Sequence, residues 1–119
     1  MNKATGKLLT AASLAGGADI SQARESKTAL QTWVVKAIAP RQAADMAHVT
    51  ITAATNETYY LDALKYDADN GAKVQMYAGN GNECERWHLH YKGNGYYVIT
   101  NYDSGLSLEG SSNGTSGNT

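Results

Sequence analysis

The chain has 119 residues, the size of one domain, so we expect a single hydrophobic core. It carries 10 Lys+Arg against 11 Asp+Glu, a net charge of -1, and this balance provides no basic field for a nucleic-acid partner. No apolar run approaches the roughly 20 residues that span a bilayer, so membrane insertion is not expected.

The cysteine count and the first residues bear on localisation. Cys84 is the single cysteine and cannot form an internal disulfide, which suits a reducing compartment. The segment Met1–Lys7 lacks the apolar region of a signal peptide. The predicted localisation is cytoplasmic, and it is unknown if the chain is a fragment.

Asn-Gly and related turn signals occur at intervals along the sequence and predict tight hairpin turns. Short alternating or β-branched runs lie between them. Nine strands are predicted, at Lys7–Ala12, Ala18–Gln22, Thr32–Ile38, His48–Thr52, Tyr59–Ala63, Lys73–Tyr77, Trp87–Tyr91, Tyr96–Thr100 and Leu106–Glu109. Short strands at this spacing are typical of an all-β sandwich or barrel.

One stretch favours helix on propensity alone. Its Ala, Gln, Arg and Lys residues are good helix formers and indicate helices around Ser21–Leu30 and Pro40–Ala47. The β-branched and aromatic Trp33-Val34-Val35 favours the strand at Thr32–Ile38 instead. Arg41–Ala47 is predicted as a loop or a short helical turn.

The chain repeats one pattern at a period near fifty. Trp33 and Trp87 are 54 positions apart, and Leu9, Leu61 and Leu108 are 52 and 47 apart. Such a period indicates three copies of a four-strand unit. We place the copies at about 1–46, 47–94 and 95–119, the last one incomplete.

A tryptophan motif recurs in the first two copies, and in the second it follows two further motifs. The tryptophans end Gln31-Thr32-Trp33 and Glu85-Arg86-Trp87, and the second is preceded by Leu61-Asp62-Ala63 and Val74-Gln75-Met76-Tyr77. These motifs resemble those of the ricin-B-type β-trefoil lectin family, whose marker is a Gln-x-Trp in each repeat. The resemblance implies an all-β, pseudo-threefold β-trefoil, with residues 1–119 forming a single domain.

The strand count differs from that of a complete trefoil. A trefoil has twelve strands and nine are predicted, so three are missing. By comparison of the repeats, one is missing at the front and two at the back. The chain would then be a trimmed fragment, a chain completed by another polypeptide, or an open fold whose sheet edges invite oligomerisation. We favour the fragment.

The second repeat holds most of the family's sugar-binding groups. An aromatic face packs on a sugar ring, and a carboxylate accepts hydrogen bonds from neighbouring hydroxyls. The resemblance assigns the acid to Asp62. Cys84 stands at a position where the family has Asn, so the amide of that Asn is lost. The amide of Asn80 or Asn82 would substitute for it. The predicted ligand-binding residues are Asp62, Gln75, Tyr77, Asn80, Asn82 and Glu85.

The other two copies are poorer in such groups. In the first repeat, Thr10 and Ala23 replace the acid and the aromatic residue, so no sugar site is expected there. In the third repeat, Glu109 stands at the acid position, and whether a site forms is left open. The predicted core residues are Trp33, Trp87, Leu9, Leu61, Leu108, Ile20 and Val74.

No pattern indicates a metal, a cofactor or catalysis. Asp67–Gly71 departs from a calcium loop, because Gly71 is at the fifth position and not the sixth, and Ala78 stands at the twelfth position, where a glutamate is expected. His88 and His90 lack the spacing of a four-ligand zinc site. The sequence contains neither a nucleophile elbow nor a phosphate loop, so we expect a protein that is not an enzyme.

The hypothesis from the sequence is a lectin domain that binds galactose- or N-acetylgalactosamine-type glycans and glycoconjugates without metal or other cofactor. Affinity at one shallow site should be weak, so useful avidity would require several sites or a homo-oligomer. Two alternatives stay open. One is a trefoil that has lost sugar binding and acts as a protease inhibitor or protein-interaction module. The other is an accessory module that directs a larger enzyme or toxin to glycans.

Overall fold

The computed structural model describes residues 1–37, 46–64, 69–110 and 117–118, and these residues form β-strands and short 3-10 turns, two of them wholly within the described residues, without an α-helix. These two turns are Ala29–Gln31 and Glu83–Glu85. The strands are β1 Leu8–Ala11, β2 Ile20–Ala23, β3 Trp33–Ala37, β4 Met46–Ala53, β5 Asn56–Ala63, β6 Val74–Ala78, β7 Trp87–Gly93, β8 Tyr96–Asn101, β9 Glu109–Gly110 and β10 Gly117–Asn118. None of the described segments forms a helix that could span a membrane.

All nine predicted strands overlap observed ones, and the all-β prediction is confirmed. The last overlap is the smallest, because the predicted Leu106–Glu109 and the observed β9 share only Glu109. The tenth strand, β10, was not predicted, since Gly117-Asn118 has neither β-branched nor aromatic side chains.

The strands pair antiparallel in three groups. The largest sheet has the order β6-β5-β4-β7-β8, and β3 adds to it by pairing with β4. β1 pairs with β2, and β9 pairs with β10. The hairpin between β7 and β8 turns at Asn94-Gly95, where both residues have positive φ angles of 55° and 79°, as a tight turn of this kind requires.

Two of the strand groups repeat one arrangement. The indole of Trp33 donates a hydrogen bond of 3.0 Å to the carbonyl of Leu9, and the indole of Trp87 donates one of 3.0 Å to the carbonyl of Leu61. Each tryptophan follows a 3-10 turn and begins a strand. β1 to β4 therefore correspond to β5 to β8, and β9 and β10 correspond to the first two strands of each set. The predicted repeat boundaries themselves stay a prediction.

The predicted helix at Ser21–Leu30 does not form. Residues 21–23 belong to β2, where Ile20 is buried and faces Ala11 across the hairpin. Burial of that face outweighs the weak helix propensity of the segment. The second helix indicated by propensity spans Pro40–Ala47. Its residues 40–45 lie outside the described residues, and its last two residues belong to β4.

The core lies between the β1–β2 hairpin and the inward faces of β4 to β7. Trp87, Leu61 and Val74 have no exposed side-chain surface, and Ile20 is 3% exposed. Trp33 is half-buried and packs against this cluster, as do Leu9 and Leu108. The buried apolar residues are Ala11, Ile20, Val49, Ile51, Ala53, Leu61, Ala63, Val74, Met76, Cys84, Trp87 and Leu89. Thus the predicted core residues lie in or against the core.

Candidate functional site

The outer face of the β5–β6 hairpin brings together the acid and the amide predicted for the second repeat. Asp62 lies directly opposite Gln75 in the ladder, and the Gln75 Nε2 donates a hydrogen bond of 3.0 Å to the Asp62 Oδ1. Because side chains alternate along a strand, Leu61 and Met76 point into the core while these two point away from it. The pair is well covered, since Asp62 is 4% and Gln75 is 7% exposed.

Cys84 completes the surroundings of the Asp62 carboxylate. The 3-10 turn Glu83–Glu85 carries the Cys84 thiol to the opposite oxygen, and its Sγ donates a hydrogen bond of 3.2 Å to the Asp62 Oδ2. Burial raises the pKa of the Cys84 thiol to about 12, and the hydrogen bond to Asp62 adds to the shift. The thiol therefore stays a neutral donor at physiological pH. A carboxylate offers about four acceptor positions, so the two bonds leave capacity for ligand hydroxyls.

Tyr77 provides an open aromatic surface on the same face. It lies two residues after Gln75 on β6 and is 43% exposed. Tyr60 stands directly opposite Tyr77 in the ladder, so it shares this face with Asp62.

Tyr60 and Gly79 are parts of the site that the sequence analysis missed. A side chain at Gly79 would collide with the Tyr60 ring, so glycine at this position allows the ring to lie where it does. Counting back by two from Asp62 along a predicted strand would have found Tyr60. The contact with Gly79 depends on the path of the loop and has no sequence signal.

Glu85 holds the loop beside the site and does not share the outer face of the hairpin. Its carboxylate accepts the backbone N–H of Asn80, at 3.2 Å from each oxygen, and the N–H of Gly81 at 3.1 Å. The side chain is 1% exposed. Burial raises the pKa of Glu85, and the two backbone N–H groups offset part of that rise. Its predicted role as a direct sugar ligand stays a prediction, but the observed contacts are those of a loop-positioning residue.

Asn80 and Asn82 lie in that same loop. The Asn80 Oδ1 accepts the backbone N–H of Asn82 at 3.0 Å, which uses one amide oxygen to shape the turn. Asn80 is exposed and Asn82 is half-buried. Contact of either amide with the Asp62 carboxylate is not observed among the described hydrogen bonds, so the Cys84 thiol is the group that stands at the Asn position.

The first repeat has the same scaffold without the site. Gln31 corresponds to Glu85, and its Nε2 donates to the Thr10 Oγ1 at 3.1 Å and to the Arg24 carbonyl at 2.9 Å. Thr10 occupies the place of Asp62, and Ala23 that of Tyr77. This unit therefore has neither a carboxylate nor an aromatic ring at these two positions, and the expectation that no sugar binds there stays a prediction. In the third unit, Glu109 is exposed at the corresponding position.

The described residues give no metal centre. No group of three or more His, Cys, Asp or Glu side chains in that part of the chain is arranged to hold an ion. His88 and His90 stack their rings at a centroid distance of 3.8 Å. Of the segment Asp67–Gly71, compared above with a calcium loop, residues 67 and 68 lie outside the described residues.

The repeated units and the tryptophan contacts define a protein of the β-trefoil class. The family model for the ricin-type beta-trefoil lectin domain-like proteins matches residues 29–119, and the chain belongs to this family. Membership supports a carbohydrate-binding module of a type that is not usually catalytic. Among curated proteins, no sequence relative was found.

Solved structures share the fold. A designed threefold-symmetric protein, ThreeFoil, is 25% identical with a TM-score of 0.78, and the match covers 88% of this chain and 71% of that one. An exo-β-1,3-galactanase from Clostridium thermocellum is 21% identical with a TM-score of 0.83, covering 99% of this chain and 26% of that one. A Polyporus squamosus lectin, solved with Neu5Acα2-6Galβ1-4GlcNAc, is 15% identical with a TM-score of 0.74, covering 95% and 39%. At 21% and 15% identity, the last two likenesses show the fold alone.

Replacing Glu85 with glutamine should stabilise the protein at neutral pH. Because the pKa of Glu85 is raised above its ordinary value of 4.5, its contribution to stability is fully present below that value and is lost as pH rises through the folded pKa. Gln31 shows that an amide fits this position. The expected gain of Glu85→Gln is on the order of 1 kcal/mol at pH 7, shrinking toward pH 4.

Urea unfolding of parent and variant from pH 4 to pH 8 measures this difference. Glu83→Gln is the matched control. It removes the same charge two residues earlier in the chain, at a side chain that is exposed. A Glu85→Gln variant that is less stable than the parent by the same amount at every pH would show that burial of the charge carries no cost.

Proposed function

We propose that the chain binds galactose- or N-acetylgalactosamine-type sugars on the outer face of the β5–β6 hairpin, without a metal ion. The Asp62 carboxylate would accept hydrogen bonds from two neighbouring sugar hydroxyls, and Tyr77 would pack against the C–H face of the ring. Gln75 fixes the orientation of the carboxylate and contributes its amide. Galactose presents such a C–H face next to an axial hydroxyl, which suits an aromatic group beside an acceptor.

The observation that carries this proposal is the fixed carboxylate beside an open aromatic ring. Each oxygen of Asp62 is held by one donor, from Gln75 and from Cys84. Such a preoriented group loses little side-chain entropy when a ligand binds. Burying a carboxylate costs free energy. A hairpin that binds no ligand would gain nothing in return for this cost, whereas in a sugar site the carboxylate provides directional acceptors.

The Cys84 thiol limits the affinity. It donates to Asp62 but offers only a weak acceptor, whereas an amide at this place could bond the acid and a sugar hydroxyl together. We therefore expect weak binding at a single site, with dissociation constants in the millimolar range. Useful avidity would come from several copies on one assembly, including a homo-oligomer.

Tyr77→Ala should weaken sugar binding about tenfold, because the stacking face is lost. Tyr102→Ala is the matched control, since Tyr102 is 49% exposed and lies after β8. Titration of both variants with galactose and N-acetylgalactosamine, followed by NMR, measures the change. Equal binding by Tyr77→Ala and the parent would remove Tyr77 from the site.

One alternative function has support of its own. The chain spans 26% of the galactanase with which it shares its fold, so the same fold occurs there as part of a larger enzyme. An accessory module that directs an attached enzyme or toxin to glycans is consistent with that arrangement. The sequence of the complete open reading frame tests it, since an adjoining catalytic or toxin domain is then required.

A further inference from the structure

The face that carries the proposed sugar site continues onto the first unit. A single β-bridge places Asp19, the residue before β2, opposite Gln75 of β6. Residues directly opposite each other in an antiparallel pair point to the same side, so Asp19 shares the outer face with Gln75. Burial agrees with this orientation, because the next residue, Ile20, and the preceding residue, Val74, lie in the core. Asp19, Gln75 and Asp62 therefore form one row across the face.

Backbone hydrogen bonds fix the loop that carries Asp19. The N–H of Gly17 donates to the Met76 carbonyl at 2.8 Å, and the N–H of Met76 donates to the Ala18 carbonyl at 2.9 Å. The Asp19 carbonyl accepts the N–H of Ala12 at 2.8 Å, which ties the loop to the end of β1. The φ angle of Gly17 is 81°, a left-handed conformation that favours glycine. The loop between β1 and β2 thus adds a fixed edge to β6.

An ion pair occupies this edge. The Lys73 Nζ contacts the Asp19 Oδ1. Because Lys73 lies two residues before Gln75, it also points to the outer face. The side chains of Lys73 and Asp19 are 49% and 69% exposed, and an ion pair this open to solvent contributes little to the stability of the fold. The pair leaves donor positions on the ammonium group and acceptor positions on the carboxylate for a ligand.

The β5 side of the same face is more closed. The Glu83–Glu85 turn brings the Cys84 thiol onto the Asp62 carboxylate, and Tyr60 is half-buried. A glycan longer than one sugar would therefore extend from Asp62 and Tyr77 toward the β6 side, where the exposed ion pair lies.

We propose that Asp19 and Lys73 form a second subsite, which binds the next sugar unit of a galactose-containing glycan and makes a disaccharide the preferred ligand. This inference rests on the proposed function, because the first sugar is the one placed on Asp62 and Tyr77. Sugar hydroxyls both donate and accept hydrogen bonds, so neighbouring hydroxyls fit a carboxylate beside an ammonium group. The first unit would thereby contribute to the site of the second.

The charges at this edge specify the class of the second sugar. The ion pair is neutral as a whole, and it lies next to the row that contains the Asp62 carboxylate. An acidic sugar would meet two carboxylates, of Asp19 and Asp62, and one ammonium group. An uncharged sugar unit is therefore favoured over an acidic one.

The affinities for galactose and for its disaccharides test the second subsite. The probes are galactose and three disaccharides of two galactose units, joined β1-3, β1-4 and β1-6, titrated into the full 119-residue protein and followed by NMR. At least one disaccharide should bind the parent about tenfold more tightly than galactose. In Asp19→Asn and in Lys73→Ala, the ratio of these two affinities should fall to about one.

Asp103→Asn and Lys92→Ala are the matched controls. Each removes the same charge from an exposed position of the second unit, away from the edge of β6. Both should keep the ratio of the parent. Urea unfolding of Asp19→Asn and Lys73→Ala should match that of the parent, which shows that the change in the ratio is not an effect on the fold.

Three results would overturn this proposal alone. A parent that binds galactose as tightly as every disaccharide has no second subsite. A ratio that survives in either Asp19→Asn or Lys73→Ala places the second sugar elsewhere. An equal loss of affinity for galactose and for the disaccharide in these variants would assign the pair to the first sugar. In all three cases the parent still binds galactose, whereas a parent that binds none of the four sugars overturns the proposed function and this inference with it.

Discussion

Trp87→Ala should destabilise the protein by about 3–5 kcal/mol, a large share of the 5–15 kcal/mol that stabilises a typical domain. Trp87 has no exposed surface and lies among the buried residues of β4 to β7. The substitution opens a cavity there and also leaves the Leu61 carbonyl without its indole donor. Urea unfolding monitored by far-ultraviolet circular dichroism measures the loss.

Trp33→Ala provides the comparison within the same protein. Trp33 makes the equivalent hydrogen bond to the Leu9 carbonyl, but it is half-buried at the edge of the core. Its loss should therefore cost clearly less than that of Trp87. A Trp87→Ala variant within 1 kcal/mol of the parent would contradict the core position of this indole.

Asp62→Asn should reduce sugar affinity 10- to 150-fold, as expected when hydrogen bonds of about 1.5–3 kcal/mol to a charged acceptor are lost. The asparagine keeps an oxygen for the Gln75 amide and has nearly the same shape as the acid. The fold should therefore survive. Isothermal titration with galactose and N-acetylgalactosamine gives the affinity, and the unfolding curve reports the stability.

Asp103→Asn is the matched control for this change. Asp103 is exposed in the turn after β8. Its replacement removes the same charge at a distance from the hairpin face. Sugar binding should equal that of the parent in this variant. If Asp62→Asn also binds like the parent, the carboxylate is not a sugar acceptor and the site lies elsewhere.

Much of the fold could be predicted from the sequence because its signals are local and repeated. Asn94-Gly95 marks its turn through the backbone conformation that these residues tolerate. Trp33 and Trp87 mark equivalent places because each donates its indole N–H to the carbonyl of an equivalent leucine, Leu9 in the first unit and Leu61 in the second. The helix predicted around Ser21–Leu30 failed because propensity is weak beside the burial of Ile20.

The candidate site was predicted less completely. The pairing of Asp62 with Gln75 follows from strand register, which the motif spacing fixes. The contacts of Cys84 and Glu85 depend on how a 3-10 turn folds back over the hairpin, a path that side-chain types do not reveal. Glu85 in particular fits a ligand motif by position, but the structure places its carboxylate on loop N–H groups.

Titration of the ¹⁵N-labelled protein with galactose, followed through its backbone amide shifts, tests the central claim that the β5–β6 face is the sugar site. The expected result is saturable shifts at Asp62, Gln75 and Tyr77 and in the adjoining loop at 79–82, while Thr10 and Ala23 of the first unit stay unchanged. Spectra that do not respond to galactose or N-acetylgalactosamine, or shifts confined to the first unit, would contradict the account.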